Sequence, residues 1–293
     1  MKTIALLPAG SVSDEAAKHF IGTENVTWDH HRLISDVFLS TVNGVSNYSV
    51  IPIENTIEGS VSLHMDWLVH EVDLPIRAEW VYPSIQNLIG RNNELIGEDG
   101  ELDFTRIQKV ISHPVAMAQC LQFLRSKMPQ AATEHVSSTA EAVRIVRDNP
   151  GQGIVAIGTT TAASNNGLDV LASGVTDHDN NYTRFLLVGP EAYAERQSDT
   201  VKTSILITLP EDFPGALHQV LAAFAWRKIN LTRIESRPTK KKLGNYYFFI
   251  DIDMSLESVL LPSALEEIEA LGCQVRILGS YPSFTYEQLA ATK

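Results

Sequence analysis

Through the first 190 residues, short runs of consecutive apolar side chains alternate with stretches whose apolar positions recur every three or four residues. Residues 4–7, 49–53, 107–111 and 154–157 have the length and composition of buried strands. Residues 13–20, 61–68, 115–125 and 159–165 carry helical spacing instead. Val61, Met65 and Leu68 share one face, and Met117, Cys120, Leu121 and Leu124 share another. Ser138 with Glu141 three residues on makes a capping box ahead of Val143 and Val146, and Gly167 closes the helix that starts at Thr159. Alternation of this kind predicts an α/β fold with a mostly parallel sheet. The acidic segment 92–103 reads as a surface loop.

The pattern changes after residue 190. Residues 191–201 have no period and read as a linker. Residues 202–209 alternate as a strand, and Pro214-Gly215 opens a helix with Leu217, Val220, Leu221 and Phe224 on one face. Residues 230–236 are strand-like. Tyr246, Phe248, Ile250, Ile252 and Met254 occupy every second position, as in a half-buried strand. Pro262 stands at the start of a helix carrying Leu265, Ile268 and Leu271, and residues 275–278 supply a last strand. The order βαββαβ predicts a ferredoxin-like unit.

Composition narrows the function. A chain of 293 residues with 44% apolar and 20% charged residues has the make-up of a folded protein, and its length suggests two domains. Lys and Arg number 23 against 35 Asp and Glu, so 23 − 35 = −12, which argues against a nucleic-acid partner. The run Lys240, Lys241, Lys242 reads as a solvated hairpin tip. Apolar runs fall short of the ~18 residues of a membrane span, and residues 4–7 are too short for a signal-peptide core. The expectation is a cytoplasmic protein that contacts no membrane. Cys120 and Cys273 stand far apart among apolar residues, as reduced core cysteines do. His30-His31 lacks carboxylates at ligand spacing, and Asp177-His178-Asp179 reads as a loop cap, so no metal is expected. Glycine-rich phosphate loops are missing as well, and no cofactor is expected.

The candidate chemistry lies in the turns at the strand ends. Ser11 and Ser13 come after the first strand, Glu54, Asn55, Gly59 and Ser60 after the second, and Ser112 after the third. Thr159 and Thr160 come after the fourth. Each hydroxyl taken alone is accounted for as a helix cap. Taken together, turns ahead of helix N-termini can hold an anion through backbone N–H groups, without lysines. Glu54 and Glu58 read equally well as an acid/base pair or as turn structure. Thr183 and Arg184, at the mouth of the strand continued by Phe185, add a hydroxyl and a bidentate cation.

These stretches resemble the bacterial monofunctional prephenate dehydratase family with a C-terminal ACT regulatory domain. The marks are "PIENTIEGSV" (52–61), "SHPVAMAQC" (112–120), "STAEAV" (138–143), "NNYTRFLLVG" (180–189), "PGAL" (214–217) and "INLTRIESRP" (229–238). One turn departs from the family pattern Gly-Pro-x-Gly-Thr-Phe-Ser, reading Leu7-Pro8-Ala9-Gly10-Ser11-Val12-Ser13 here.

The resemblance implies a two-lobed, periplasmic-binding-protein-like catalytic domain over 1–190, with lobe 1 about 1–76 and 176–190 and lobe 2 about 77–175. After the linker come the ACT domain over 202–284 and a tail over 285–293. It implies conversion of prephenate to phenylpyruvate for phenylalanine biosynthesis, and inhibition by phenylalanine in a homodimer or homotetramer. By the same resemblance Thr183, Arg184, Asn55, Ser112 and Gln119 are catalytic. Ser11, Ser13, Glu54, Gly59, Ser60, Thr160 and Phe185 line the substrate. Gly215, Ala216, Leu217, Asn230, Glu235, Ser236, Arg237 and Pro238 hold phenylalanine. Arogenate dehydratase, and a non-catalytic anion-binding protein with an amino-acid sensor, remain the alternatives.

Overall fold

In a computed structural model of the chain, residues 1–97, 100–211, 213–240 and 246–290 are described. Lys241 and Lys242 of the basic run and the last three residues of the expected tail lie outside the described residues. The chain opens with β1 (Lys2–Leu6), α1 (Val12–Ile21), β2 (Val26–His30), α2 (Ile34–Val42), β3 (Tyr48–Asn55), β4 (Gly59–Ser60) and α3 (Ser62–Asp66). It continues with β5 (Ile76–Pro83), β6 (Asn87–Gly90), α4 (Asn92–Leu95), β7 (Lys109–Ser112), α5 (Pro114–Ala118) and α6 (Leu121–Lys127). Next are β8 (Ala132–His135), α7 (Thr139–Asp148), β9 (Ile154–Gly158), α8 (Thr160–Asn165), β10 (Asp169–Ala172) and β11 (Tyr182–Val188). The last part holds β12 (Val201–Thr208), α9 (Ala216–Trp226), β13 (Leu231–Pro238), β14 (Tyr246–Ile252), α10 (Leu260–Ala270), β15 (Gln274–Phe284) and α11 (Tyr286–Ala290).

The chain divides into two compact units. One comprises Met1–Val37, Glu54–Gly59 and Tyr82–Thr183, the other Phe38–Ile53, Ser60–Val81 and Arg184–Lys293. The first holds a five-stranded sheet in the order β10-β6-β9-β7-β8. Its central strands are buried on both faces, which is why they read as continuous apolar runs. Leu88, Val110, Val155 and Ile157 pack with Met117, Cys120 and Leu124. The alternate residues Ile89, Ile111 and Ala156 pack with Val143, Val146 and Ala162. The sheet is mixed rather than mostly parallel, since β6 runs antiparallel to β9 and β10. The single helix expected over 115–125 breaks at Gln119 and Cys120, and Leu121 is 42% exposed instead of facing inward. The segment 92–103 is more than a loop: it contains α4, with Leu95 buried, and a bridge between Ile96 and Leu102.

The second unit carries its strands in the order β13-β14-β12-β15-β5-β11-β3. The described residues of 201–284 form the expected βαββαβ arrangement, antiparallel throughout, over a core of Ile205, Ile207, Val220, Phe224, Ile250, Ile252, Leu261 and Ile268. Two expectations change. β15 does not stop at 278 but runs to Phe284, where Ser283 and Phe284 pair in parallel with Glu79 and Trp80 of β5. β14 is not half-exposed over its C-terminal part. Phe249, Ile250, Asp251 and Ile252 are all fully buried, an acidic residue among them.

Candidate active site

Asn55 is the last residue of β3, and its side chain turns the chain. Its Oδ1 accepts from the backbone N–H of Ile57 (2.9 Å) and Glu58 (3.1 Å), an Asx turn that fixes the amide plane. The Nδ2 end then faces Asn181 Oδ1 (2.8 Å), Tyr182 O (3.1 Å) and Thr183 Oγ1 (3.0 Å). Two hydrogens meet three acceptors there, so the bonds are shared. Asn181 Nδ2 donates to Gln119 Oε1 (2.9 Å) and to Ser84 O (3.1 Å). Ser84 Oγ lies 2.6 Å from Thr183 Oγ1. The structure thus gathers Asn55, Gln119 and Thr183, three expected residues, into one buried polar network with Ser84 and Asn181.

Gln119 owes its place to the break between α5 and α6. Asp177 N–H donates to Gln119 O (2.7 Å), and the Asp177 carboxylate accepts from the backbone N–H of Gln122 (2.9 Å) and Phe123 (3.1 Å) at the start of α6. The expected loop cap is therefore a brace for Gln119. Cys120 beside it is no nucleophile. Burial, with the Asp177 charge, pushes its thiol up to about 12.

The turn after β1 is organised by Asp14, which is fully buried. Its carboxylate accepts from Gly10 N–H (2.8 Å), Lys18 Nζ (2.8 Å) and His30 Nε2 (2.9 Å). Burial raises this carboxyl, but the three donors outweigh it and hold it below the usual carboxylate range. Gly10 has φ +76°, and a Cβ there would sit 3.0 Å from the Ala162 Cα, so glycine is required on two counts. Thr159 Oγ1 donates to Gly10 O (2.7 Å), joining the first and fourth turns. Ser11 caps α1 and Ser13 is buried in its first turn. Thr160 Oγ1 accepts from Asn87 Nδ2 (3.3 Å). Glu54 is half-buried, whereas Glu58 and Gly59 are exposed. Ser112 Oγ donates to Ile157 O (2.8 Å), which makes it a tie between β7 and β9.

Three expected site residues are placed otherwise. Arg184 is not free to offer its fork to a substrate carboxylate. Its Nε donates to Glu79 Oε2 (2.7 Å) and its Nη1 to Asp251 Oδ2 (2.6 Å). Alternation along β11 also turns it away from the Thr183 face. Phe185 is fully buried and stacks on Trp80, with centroids 5.7 Å apart, so it is core rather than lining. Ser60 Oγ donates to Glu235 Oε2 (2.5 Å) and accepts from Arg233 Nη2 (2.6 Å). Sequence pattern does not single out Ser84, Asn181, Asp177 or Asp14 as site residues. Asn181 carries a signal as part of the 180–189 stretch, and Asp177 carries one as part of the expected loop cap.

Of the expected effector residues, Gly215 (φ +94°) is the N-cap of α9, with Ala216 and Leu217 in its first turn. Asn230 O accepts from Asp253 N–H (3.0 Å). Glu235, Ser236, Arg237 and Pro238 end β13, the edge strand of the sheet. Ser236 and Pro238 are exposed there, and Arg237 Nε donates to Asp66 Oδ1 (3.0 Å).

A buried hydroxyl–amide network followed by a βαββαβ unit defines an α/β enzyme with a C-terminal regulatory module, and the family model for the ACT domain matches residues 203–273. The model described as prephenate dehydratase matches residues 4–193, and the chain belongs to the prephenate dehydratase family. Prephenate dehydratase of Bacillus subtilis (strain 168) is 39% identical over 269 residues, covering 90% of this chain and 91% of that protein. The Methanocaldococcus jannaschii prephenate dehydratase is 39% identical over 283 residues, covering 96% and 98%. The solved structure of prephenate dehydratase from Arthrobacter aurescens in complex with L-Phe superposes with TM-score 0.84 at 30% identity, covering 96% of this chain and 89% of that one.

Proposed function

We propose that this chain converts prephenate to phenylpyruvate, carbon dioxide and water, with Thr183 protonating the leaving hydroxyl. The observation that carries the reading is the buried Thr183 hydroxyl, held at 3.0 Å by the Asn55 amide and at 2.6 Å by Ser84. The bond from the ring to the departing carboxylate breaks, and its electron pair enters the ring as the ring becomes aromatic. The bond to the ring hydroxyl breaks in the same sense, and that oxygen takes the proton of Thr183 and leaves as water. Solvent restores the proton. A threonine hydroxyl is a weak acid, and N–H donation to its oxygen stabilises the charge it develops. Asn55 fills that role, and Gln119 fixes the Asn181 amide behind it.

Ser11, Ser13, Glu54, Gly59, Thr160 and Ser112 fall in the same unit and supply the turns proposed to face the substrate's carboxylates. Phenylalanine is the proposed effector, taken by the start of α9 at Gly215 and the end of β13. The ACT match and the L-Phe complex of the Arthrobacter relative support this. The reading includes a catalytic part over 1–190, a linker over 191–201 and an ACT domain over 202–284, acting as a cytoplasmic homodimer or homotetramer.

The test is phenylpyruvate absorbance from prephenate, with arogenate run beside it and phenylalanine titrated. Thr183→Ala is expected to lower kcat by about 10²–10⁴-fold and leave KM nearly unchanged. Wild-type turnover by that variant overturns the reading.

A further inference from the structure

We propose that Ser84 is a positioning residue for Thr183: it donates its hydroxyl proton to Thr183 Oγ1 and so leaves the Thr183 proton for the substrate. The inference deepens the dehydratase reading and rests on it. A hydroxyl has one proton and two acceptor sites. Thr183 Oγ1 accepts from Asn55 Nδ2 at 3.0 Å, and its other contact is Ser84 Oγ at 2.6 Å. Among the described residues Ser84 Oγ has no other hydrogen-bond partner, so one proton is shared between the two hydroxyls and the other is free to leave the pair. With Thr183 as donor, its proton is spent on Ser84. With Ser84 as donor, both acceptor sites of Thr183 are filled and its proton can only point elsewhere. A leaving hydroxyl that takes this proton selects the second arrangement.

The backbone holds Ser84 to this task. Ser84 N–H donates to Asn181 O (2.8 Å), and Ser84 O accepts from Asn181 Nδ2 (3.1 Å). The same Asn181 accepts from the Asn55 amide through Oδ1 (2.8 Å). Ser84 and Asn55, the two donors to Thr183, are thus fixed against a common residue, and each is at least nine-tenths buried. When the carbon–oxygen bond breaks and Thr183 gives up its proton to form water, the electron pair left on Oγ1 meets an N–H and an O–H donor already in place. Proton return from water completes the cycle with atoms and charge balanced. Preorganised donors to an oxyanion are worth up to about 10²–10³-fold each. The charge on Thr183 is partial and transient, so about 10- to 100-fold is expected here.

Ser84→Ala is expected to lower kcat by about 10- to 100-fold with KM within about twofold, and Ser84→Thr to recover most of the loss. In a Thr183→Ala background Ser84→Ala is expected to cost nothing further, because it acts through that oxygen. A kcat for Ser84→Ala within about twofold of wild type overturns the inference, as does a Ser84→Thr variant equally slow. If Ser84→Ala does not fold, Ser84→Cys substitutes a weaker donor: lowered kcat at constant KM supports the proposal, and wild-type kcat overturns it. A normal Thr183→Ala enzyme removes the dehydratase reading and this inference together. An inactive Thr183→Ala enzyme beside a normal Ser84→Ala enzyme removes only the inference.

Discussion

Neutralising Asp251 should unfold this protein well before it slows it. Asp251 is fully buried on β14 and accepts from Arg184 Nη1 (2.6 Å) and from Ser204 Oγ. Ser204 spends its only proton on that carboxylate, so Tyr281 OH, 2.5 Å away, must donate to Ser204. Glu79 completes the cluster. It takes Arg184 Nε (2.7 Å), Lys202 Nζ (2.7 Å) and Ser283 Oγ (2.6 Å). Two cations and two anions balance, and they tie together residues of β5, β11, β12, β14 and β15. Asp251→Asn keeps the shape but leaves one net positive charge in a buried place. It also sets an amide N–H₂ against Arg184 or Ser204, which are themselves donors. Breaking a buried pair costs about 3–5 kcal/mol. At ~2–4 °C per kcal/mol for a chain of this order of size, the melting temperature should fall by roughly 6–20 °C. Differential scanning calorimetry on the full chain reads this directly, with exposed Asp253→Asn as the control. A Tm for Asp251→Asn within about 2 °C of wild type would refute the argument that these charges depend on one another.

Arg184→Lys, with a point charge in place of a fork, should also lose stability and keep its KM for prephenate below the melting transition. A raised KM with unchanged Tm would instead return Arg184 to the substrate. Acid should act on Glu79: burial raises its carboxyl, but Arg184 and Lys202 outweigh that and hold it below the usual range. Its stabilisation is therefore complete above the ordinary carboxylate pKa of ~4.3 and lost as pH falls through the lower folded value. A nearer effect comes from His64, where burial depresses the imidazole despite its 2.6 Å contact with Pro52 O. The unfolded chain takes up that proton near pH ~6.5 and the folded one only at lower pH, so stability should drop as pH falls through ~6.5 toward the lower folded value. His64→Gln should flatten the slope of Tm over that range, and an unaltered slope would refute the assignment.

Local pattern is a sufficient guide where burial is symmetric. Val155, Ala156 and Ile157 face apolar neighbours on both sides, so β9 shows in the sequence as an unbroken run. The Ser138 cap also appears where the spacing places it, accepting from Glu141 N–H (3.1 Å). Failures fall where a distant partner decides. Nothing near Gln119 breaks a helix, neither glycine nor proline. The break is stabilised by Asp177, 58 residues on, which satisfies the N–H groups of the new helix start. β15 extends past Gly279 and through Pro282, both poor strand formers, because its end pairs with β5. Asp251 stands on the face of β14 that alternation assigns to solvent. A guanidinium 67 residues away and the Ser204 hydroxyl make its burial tolerable.

The same logic explains why the Thr183-Arg184 pair misleads as a sequence motif. Adjacent polar residues at a strand mouth invite one explanation, a hydroxyl and a cation converging on one ligand. A strand does the opposite, since successive side chains leave opposite faces. Thr183 enters a network of neutral donors and acceptors, where its hydroxyl is ordered without a neighbouring full charge. Arg184 enters a cluster of carboxylates that desolvates it and, by their charge, keeps it protonated. A substitution at 184 therefore acts first on the buried charge cluster, through Glu79 and Asp251. Stability measured beside KM separates a structural arginine from a substrate-binding one: Arg184→Lys lowers Tm at constant KM in the first case and raises KM at constant Tm in the second.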